Sequence, residues 1–306
     1  MIAFLFPGQG SQHVGMGKEL TENFTIARQV FEEANDAIGF DLASLCYDGP
    51  EDDLRLTANT QPAILATSVA ALRVLQAESG LVPSLTAGHS LGEYSALVCA
   101  GGLGFADAVR IVRQRGIYMQ EAVPVGTGSM AAILGLDREA LDSVCREAAQ
   151  GQVVEPANYN SDGQVVIAGH TDAVARAIEL AKAKGAKRAM ALSVSAPFHC
   201  SLMIPAGERL AAALADVTIH EMLLPVITNV EATPNQDASQ VLDLLVRQVS
   251  APVRWQETMA CMVDLGIDRY IEIGPGKVLS GLIKRMAKGS TVQNVQNMAD
   301  VSALAG

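Results

Sequence analysis

Gly88-His89-Ser90-Leu91-Gly92 fits the pattern G-x-S-x-G. A serine between two such glycines sits on a strained strand-to-helix bend. Its hydroxyl projects clear of the backbone, and the N–H of the next residue points to where an oxyanion would form. That is the equipment for nucleophilic attack on an acyl group. The pattern also occurs in ordinary βα turns, so its surroundings matter. Leu85-Thr86-Ala87 before it reads as strand and Glu93-Tyr94-Ser95-Ala96-Leu97-Val98 after it as helix, the context the chemistry requires.

A serine nucleophile needs a base, and the chain offers His13, His89, His170, His199 and His220. His89 lies inside the bend and would point the wrong way along it. His170 ends a strand, and His220 falls in a polar stretch. His199 lies in Ala196-Pro197-Phe198-His199-Cys200, a loop where the chain crosses between two regions, as at a cleft. From the residues alone, a histidine packed in a loop is an equal reading of that position.

Strand-like and helix-like runs alternate around the bend. Ala3–Pro7 and Ser84–Gly88 read as strands. Thr25–Ala37, Ala63–Gln76, Glu93–Ala100 and Phe105–Ala122 read as helices. This predicts a mostly parallel sheet with helices on both faces. The middle of the chain differs. Strands at Ser129–Leu136, Val153–Asn158, Gln164–Ala168 and Lys187–Val194 alternate with helices at Arg138–Ala149, capped by Asp137, and Ala173–Lys184, stopped by Gly185. A turn is expected over Asn160-Ser161-Asp162-Gly163. The order β-α-β-β-α-β is the ferredoxin-like arrangement. Beyond it come a helix at Ile204–Ala215 and strands at Pro225–Asn229 and Tyr270–Ile273; the tail after Met286 reads as mobile. The expected architecture is α/β: an α/β-hydrolase-like large subdomain with a parallel sheet (residues 1–125 and 197–306) and an inserted ferredoxin-like small subdomain (126–196).

Composition narrows the function. Thirty-three acidic residues against 22 Lys and Arg leave the 306-residue chain at −11, which argues against a general nucleic-acid binder or a polybasic membrane-surface protein. A local basic patch stays open. No apolar run reaches the ~18–20 residues of a membrane span. The start, Met1–Pro7, has no basic leader and reads as a first strand. Five scattered cysteines without a C-x-x-C pair predict neither disulfides nor a zinc site. A soluble, reduced, cytoplasmic protein is expected. Gly8-x-Gly10-x-x-His13 lacks the third glycine of a dinucleotide loop, and Gly274-Pro275-Gly276-Lys277-Val278 lacks the form of a P-loop.

The motifs taken together carry a resemblance. They are Phe6-Pro7-Gly8-Gln9-Gly10-Ser11-Gln12, Gly88–Ala96, Arg115-Gly116-Ile117-Tyr118-Met119-Gln120, Asn158–Ser161 with Gln164–Gly169, Phe198-His199, Pro252–Trp255 and Glu272–Gly276. In this order, from Ile2 to about Met286, the chain resembles the malonyl-CoA:acyl carrier protein transacylases of bacterial fatty-acid synthesis. The resemblance implies Ser90 as nucleophile and His199 as its general base. It implies that the main-chain carbonyl of Gln248 orients that histidine in place of a carboxylate, and that the backbone N–H groups of Gln9 and Leu91 form the oxyanion hole. Arg115 would meet the malonyl carboxylate, Phe198 would crowd the acyl α-carbon, and Asn160 would lie at the rim of the small subdomain. By composition Arg110 and Arg113 suit the carboxylate equally well; only the motif selects Arg115.

The implied reaction is a ping-pong transfer from malonyl-CoA to the phosphopantetheine thiol of acyl carrier protein, through a malonyl-serine ester and without metal or cofactor. A monomer is expected. An acidic enzyme meeting an acidic carrier needs local attraction. Two basic groups could supply it: Lys182, Lys184, Lys187 and Arg188, or Lys277, Lys284, Arg285 and Lys288. The second is the expected dock. The competing readings are a serine esterase or thioesterase, a non-catalytic acyl-CoA sensor, and an acyltransferase serving polyketide synthesis or malonate decarboxylation.

Overall fold

The computed structural model describes residues 1–192, 194 and 196–305. Its strands, in chain order, are β1 Ile2–Phe6, β2 Leu85–Gly88, β3 Gly128–Leu134, β4 Val154–Ser161, β5 Gln164–His170, β6 Arg188–Ala191, β7 Val226–Ile227, β8 Pro234–Asn235, β9 Arg269–Ile273 and β10 Thr291–Val295. They form two sheets.

The larger sheet runs β10-β9-β1-β2-β7-β8 and is parallel except for β8. Its central strands are apolar on both sides because helices cover both faces. On β1, Phe4 and Phe6 pack into one cluster with the helix Thr57–Ser79. Ala3 and Leu5 face the opposite cluster, with Trp255, Met259 and Ile283. β2 lies beside β1 in the middle of the sheet, so the bend that follows Gly88 opens at the carboxyl edge, where ligands of such sheets bind.

The smaller sheet runs β4-β5-β3-β6 and is antiparallel throughout. The helices Arg138–Ala149 and Thr171–Ala183 bury Leu141, Val144, Val174 and Ala177 against it. This is the ferredoxin-like order. Asp137 caps the first helix, accepting from the Ala140 N–H at 2.8 Å.

Four differences from expectation stand out, beside smaller shifts such as β7, expected over Pro225–Asn229 and found at Val226–Ile227. β4 continues to Ser161, so only Asp162-Gly163 makes the turn, with Gly163 at φ 65°; Asn160 is a strand residue. β6 ends at Ala191; Ser193 and Ser195, expected in that strand and in the crossover after it, lie outside the described residues. The helix expected from Ala63 starts at Thr57 and carries Pro62 inside it, because burial outweighs the one lost hydrogen bond. The tail is ordered: β10 pairs with β9 from Thr291↔Arg269 to Val295↔Ile273, and the helix Met298–Ala305 buries Val301 and Leu304. The helices Val241–Ser250, Trp255–Asp264 and Val278–Met286 complete the large part. No helix among the described residues is long and apolar enough to cross a membrane.

Candidate active site

The elbow forms because its glycines leave no alternative. A Cβ on Gly88 would overlap Gly92, and one on Gly92 would overlap the carbonyl of Phe6. Between them Ser90 is held at φ 50°, in the left-handed region that non-glycine residues avoid. His199 is the other half of the pair and is also left-handed, at φ 59°. Two strained residues at one locus mark a place where the surroundings over-determine the backbone.

Ser90 Oγ lies 2.8 Å from His199 Nε2, and His199 Nδ1 lies 2.8 Å from the Gln248 carbonyl oxygen. A carbonyl accepts only, so Nδ1 carries the proton and Nε2 is free to accept the serine's. Burial, reinforced by the charge of Arg115, pushes His199 from its ordinary 6.5 down to about 3. The ring is therefore neutral at working pH.

The other histidines stand apart from this pair. His13 and His220 are exposed, and His170 Nδ1 accepts from the Val153 N–H. His89 points away from the serine: its Nε2 lies 2.9 Å from Asn160 Oδ1 and its ring is 5.6 Å from that of Trp255. Asn160 thus reaches the elbow from the small sheet.

Arg115 is 2% exposed and makes no ion pair among the described residues. Its Nη1 donates to Gln61 Oε1 at 2.8 Å, and its Nη2 donates to Gln248 Oε1 at 2.9 Å and to Ser90 Oγ at 3.1 Å. The face of Tyr94 lies 5.6 Å from the guanidinium carbon. Arg110 is exposed and paired with Asp107, and Arg113 lies over Phe40; neither touches the serine. Its hydrogen-bond partners are neutral, and the buried acid that acts on it, Glu93, is held one residue away behind Gln248; a buried cation so placed is expensive unless a counter-charge arrives.

Gln9, Ser90, Leu91, Arg115, Asn160, Phe198 and His199 line one cavity of about 220 Å³. Gln248 stands directly behind it. The sequence reading did not foresee three residues that hold the site. Gln61 steadies Arg115. Glu93, 2% exposed, accepts at Oε2 from Gln248 Nε2 (2.7 Å) and from the Asn229 N–H (3.1 Å). Burial raises its carboxyl to about 7. Asn229 Oδ1 accepts from the Ser90 N–H at 2.6 Å. The available signal for Asn229 was a polar residue closing an apolar strand at the carboxyl edge of a parallel sheet. No cluster of three His, Cys, Asp or Glu able to hold a metal occurs among the described residues.

A serine hydroxyl, a neutral imidazole and a cation with no ion pair among the described residues can, in one cleft, accept an acyl group that carries its own negative charge. An acyl transferase domain model matches residues 3–305. The chain belongs to the acyl transferase family. This acyl transferase is 52% identical over 302 residues to the malonyl CoA-acyl carrier protein transacylase of Salmonella typhimurium, covering 99% of this chain and 98% of the relative. The crystal structure of an acyl carrier protein S-malonyltransferase from Vibrio cholerae is similar to it, with a TM-score of 0.96, 51% identity and 99% of both chains covered. A malonyl-transacylase solved in complex with a type II PKS acyl-carrier protein has a TM-score of 0.97 and 50% identity, covering 99% of this chain and 98% of that one.

Proposed function

We propose that this enzyme moves the malonyl group of malonyl-CoA onto the phosphopantetheine thiol of acyl carrier protein, in fatty-acid synthesis. The observation that carries the reading is Arg115: a buried guanidinium with no ion pair among the described residues, 3.1 Å from Ser90 Oγ. A malonyl thioester has a free carboxylate at its far end, and a guanidinium can meet it with two parallel hydrogen bonds.

Ser90 Oγ attacks the thioester carbonyl while its proton passes to His199 Nε2. The Gln248 carbonyl holds the other N–H of the imidazolium. The N–H groups of Leu91 and Gln9 receive the tetrahedral oxyanion; one such donor contributes roughly 3 kcal/mol in comparable sites. The C–S bond breaks, the CoA sulfur takes the proton from His199, and a malonyl-serine ester remains, pinned by Arg115. The carrier's thiol then gives its proton to His199 and takes the acyl group by the reverse steps. The bound carboxylate offsets the charge of Arg115, so His199 gains basicity when the acyl group is a diacid half-ester. Phe198 crowds the acyl α-carbon and disfavours a branched acyl group. Asn160 fixes the elbow histidine from the small sheet. Each step is a proton or acyl transfer and draws on no metal or cofactor.

We take residues 1–125 with 197–306 and residues 126–196 as the two subdomains, and the active unit as a monomer. The five free cysteines suit a reducing compartment such as the cytoplasm. Lys187, from the first basic group, and Arg285, from the second, line one further cavity that shares Gln164 with the active-site cavity. This surface beside the active-site mouth is the one we assign to the acidic carrier. The relative solved with a type II PKS carrier favours a second reading of the acceptor: the same chemistry serving a polyketide carrier.

The test is incubation with malonyl-CoA alone. One equivalent of CoA should be released in a burst and then stop until holo carrier protein is added. Continuous release without carrier would make the protein a thioesterase instead.

A further inference from the structure

We infer that Asn229 is a positioning residue of the transfer site: its carboxamide clamps both sides of the elbow, and Glu93 and Gln248 fasten the clamp to the base and the cation. The inference rests on the reading of Ser90 as the nucleophile.

The left-handed Ser90 is strained, and β2 ends at Gly88; the sheet's last bond into the bend is the His89 N–H to the Phe6 carbonyl at 3.1 Å, so the ladder does not reach the Ser90 N–H. Asn229 does. Its Oδ1 accepts from the Ser90 N–H at 2.6 Å and its Nδ2 donates to the Gly88 carbonyl at 2.7 Å. The side chain thus grips the residue before His89 and the residue after it. Asn229 is fully buried, and its own backbone is fixed as well: its N–H donates to Glu93 Oε2 at 3.1 Å and its carbonyl accepts from the Arg254 N–H at 3.1 Å. Every polar atom of the residue is in use.

Glu93 passes the restraint on. The oxygen that receives the Asn229 N–H also receives Gln248 Nε2, which donates in addition to the Ser90 carbonyl at 2.9 Å. Gln248 then accepts from His199 Nδ1–H through its main-chain carbonyl and from Arg115 Nη2 through Oε1. One buried chain of hydrogen bonds therefore sets nucleophile, base and cation relative to one another. Without the Asn229 carboxamide, the Ser90 N–H and the Gly88 carbonyl lose their partners, and Ser90 can relax out of the left-handed region. That relaxation turns Oγ away from His199 Nε2.

The experiment compares native protein, Asn229→Ala and Asn229→Asp in three measurements: thermal stability, the malonyl-CoA burst per folded molecule, and the rate at which a fluorophosphonate labels Ser90. The last does not depend on binding a carboxylate. Asn229→Ala should slow burst and labelling together by ~100-fold, the cost of about an ångström of misplacement, with the KM for malonyl-CoA little changed because Arg115 keeps its bonds to Gln61 and Gln248. Asn229→Asp keeps an acceptor for the Ser90 N–H but loses the donor to Gly88, so it should slow both by ~10-fold; it carries the test if the alanine variant does not fold. A purely structural residue would lower the melting temperature and leave labelling of the folded fraction at the native rate. Native-rate labelling in a folded variant overturns the inference. Absence of label on Ser90 of the native protein would overturn the reading beneath it, and the inference with it.

Discussion

At its floor the cavity presents Arg115 and Gln61, backed by Gln248; at its mouth it presents Leu192, Val194 and Val278. Arg115 is 2% exposed and Val278 53%. The floor is buried, polar and held by named hydrogen bonds, whereas the mouth is apolar and half open. The difference assigns the work. On the function proposed, selection among acyl groups belongs to the floor, where an unmatched charge is costly. The mouth needs only to cover a flexible arm and leave a carrier room to dock. A site with this division should respond very differently to substitutions at its two ends.

The largest response is expected from Arg115→Ala. Malonyl transfer should fall by ~10²–10⁴-fold, since removing one partner of a buried charge pair costs about 3–5 kcal/mol, while acetyl transfer persists or rises. Burst kinetics with the two CoA esters measure this, and equal losses for both would remove the distinction between the ends.

Gln61 sharpens the comparison. Gln61→Ala removes one hydrogen bond to the guanidinium and should slow the malonyl burst by ~10-fold. Gln61→Glu should slow it further, because it supplies Arg115 with an internal counter-charge that competes with the substrate. A milder effect for Glu than for Ala would mean that Arg115 does not recognise a carboxylate.

Beside the mouth, on the helix Val278–Met286, reversing the charge of Lys284 and Arg285 should raise the KM for carrier protein several-fold and leave the malonyl-CoA burst unchanged; such contacts act mainly on encounter and weaken with salt. Steady-state titration of carrier at two ionic strengths reads this out. A carrier KM unmoved by the reversal would exclude this dock.

The smallest change is expected with pH. His199 lies at about 3 in the native protein and near 6.5 in the unfolded chain. The unfolded chain therefore binds a proton on this ring between those values that the native protein refuses, so the residue costs stability progressively as pH falls through that window. Glu93 has the opposite sign. Its native value of about 7 lies above its unfolded value of ~4.3, so its contribution is full below the latter and is lost as pH rises through 7. The melting-temperature gap between native protein and His199→Asn should move in the variant's favour as pH falls below 6.5. A gap that stays constant through that window would show a solvated imidazole.

The elbow was legible because its chemistry is local. Two glycines, a serine and flanking strand and helix patterns lie within a few residues, and both the bend and the parallel sheet beneath it follow from them. The ferredoxin-like order was equally plain from alternating short elements and the Asp137 cap. His199 and Arg115 were not separable from other residues of their type by spacing; the family motifs selected them, and the geometry then gives each a reason. Asn229, Glu93 and Gln61 escaped because a buried polar residue is distinguished only by its partners, and theirs lie far away in the chain. The Ser90–Asn229 bond spans 139 residues. The tail was misread for a related reason. β10 is an edge strand that needs only β9 on one side, and apart from Val295 it is exposed or half-buried, so it carries little apolar pattern.

The central claim is that Ser90 holds a malonyl ester before any carrier arrives. Mass spectrometry of protein quenched after exposure to malonyl-CoA, with and without Ser90→Ala, tests it directly. The account predicts one malonyl adduct per chain, on the peptide bearing Ser90, absent from the variant and discharged by holo carrier protein. An adduct on a cysteine such as Cys200, or one that persists in Ser90→Ala, would contradict it.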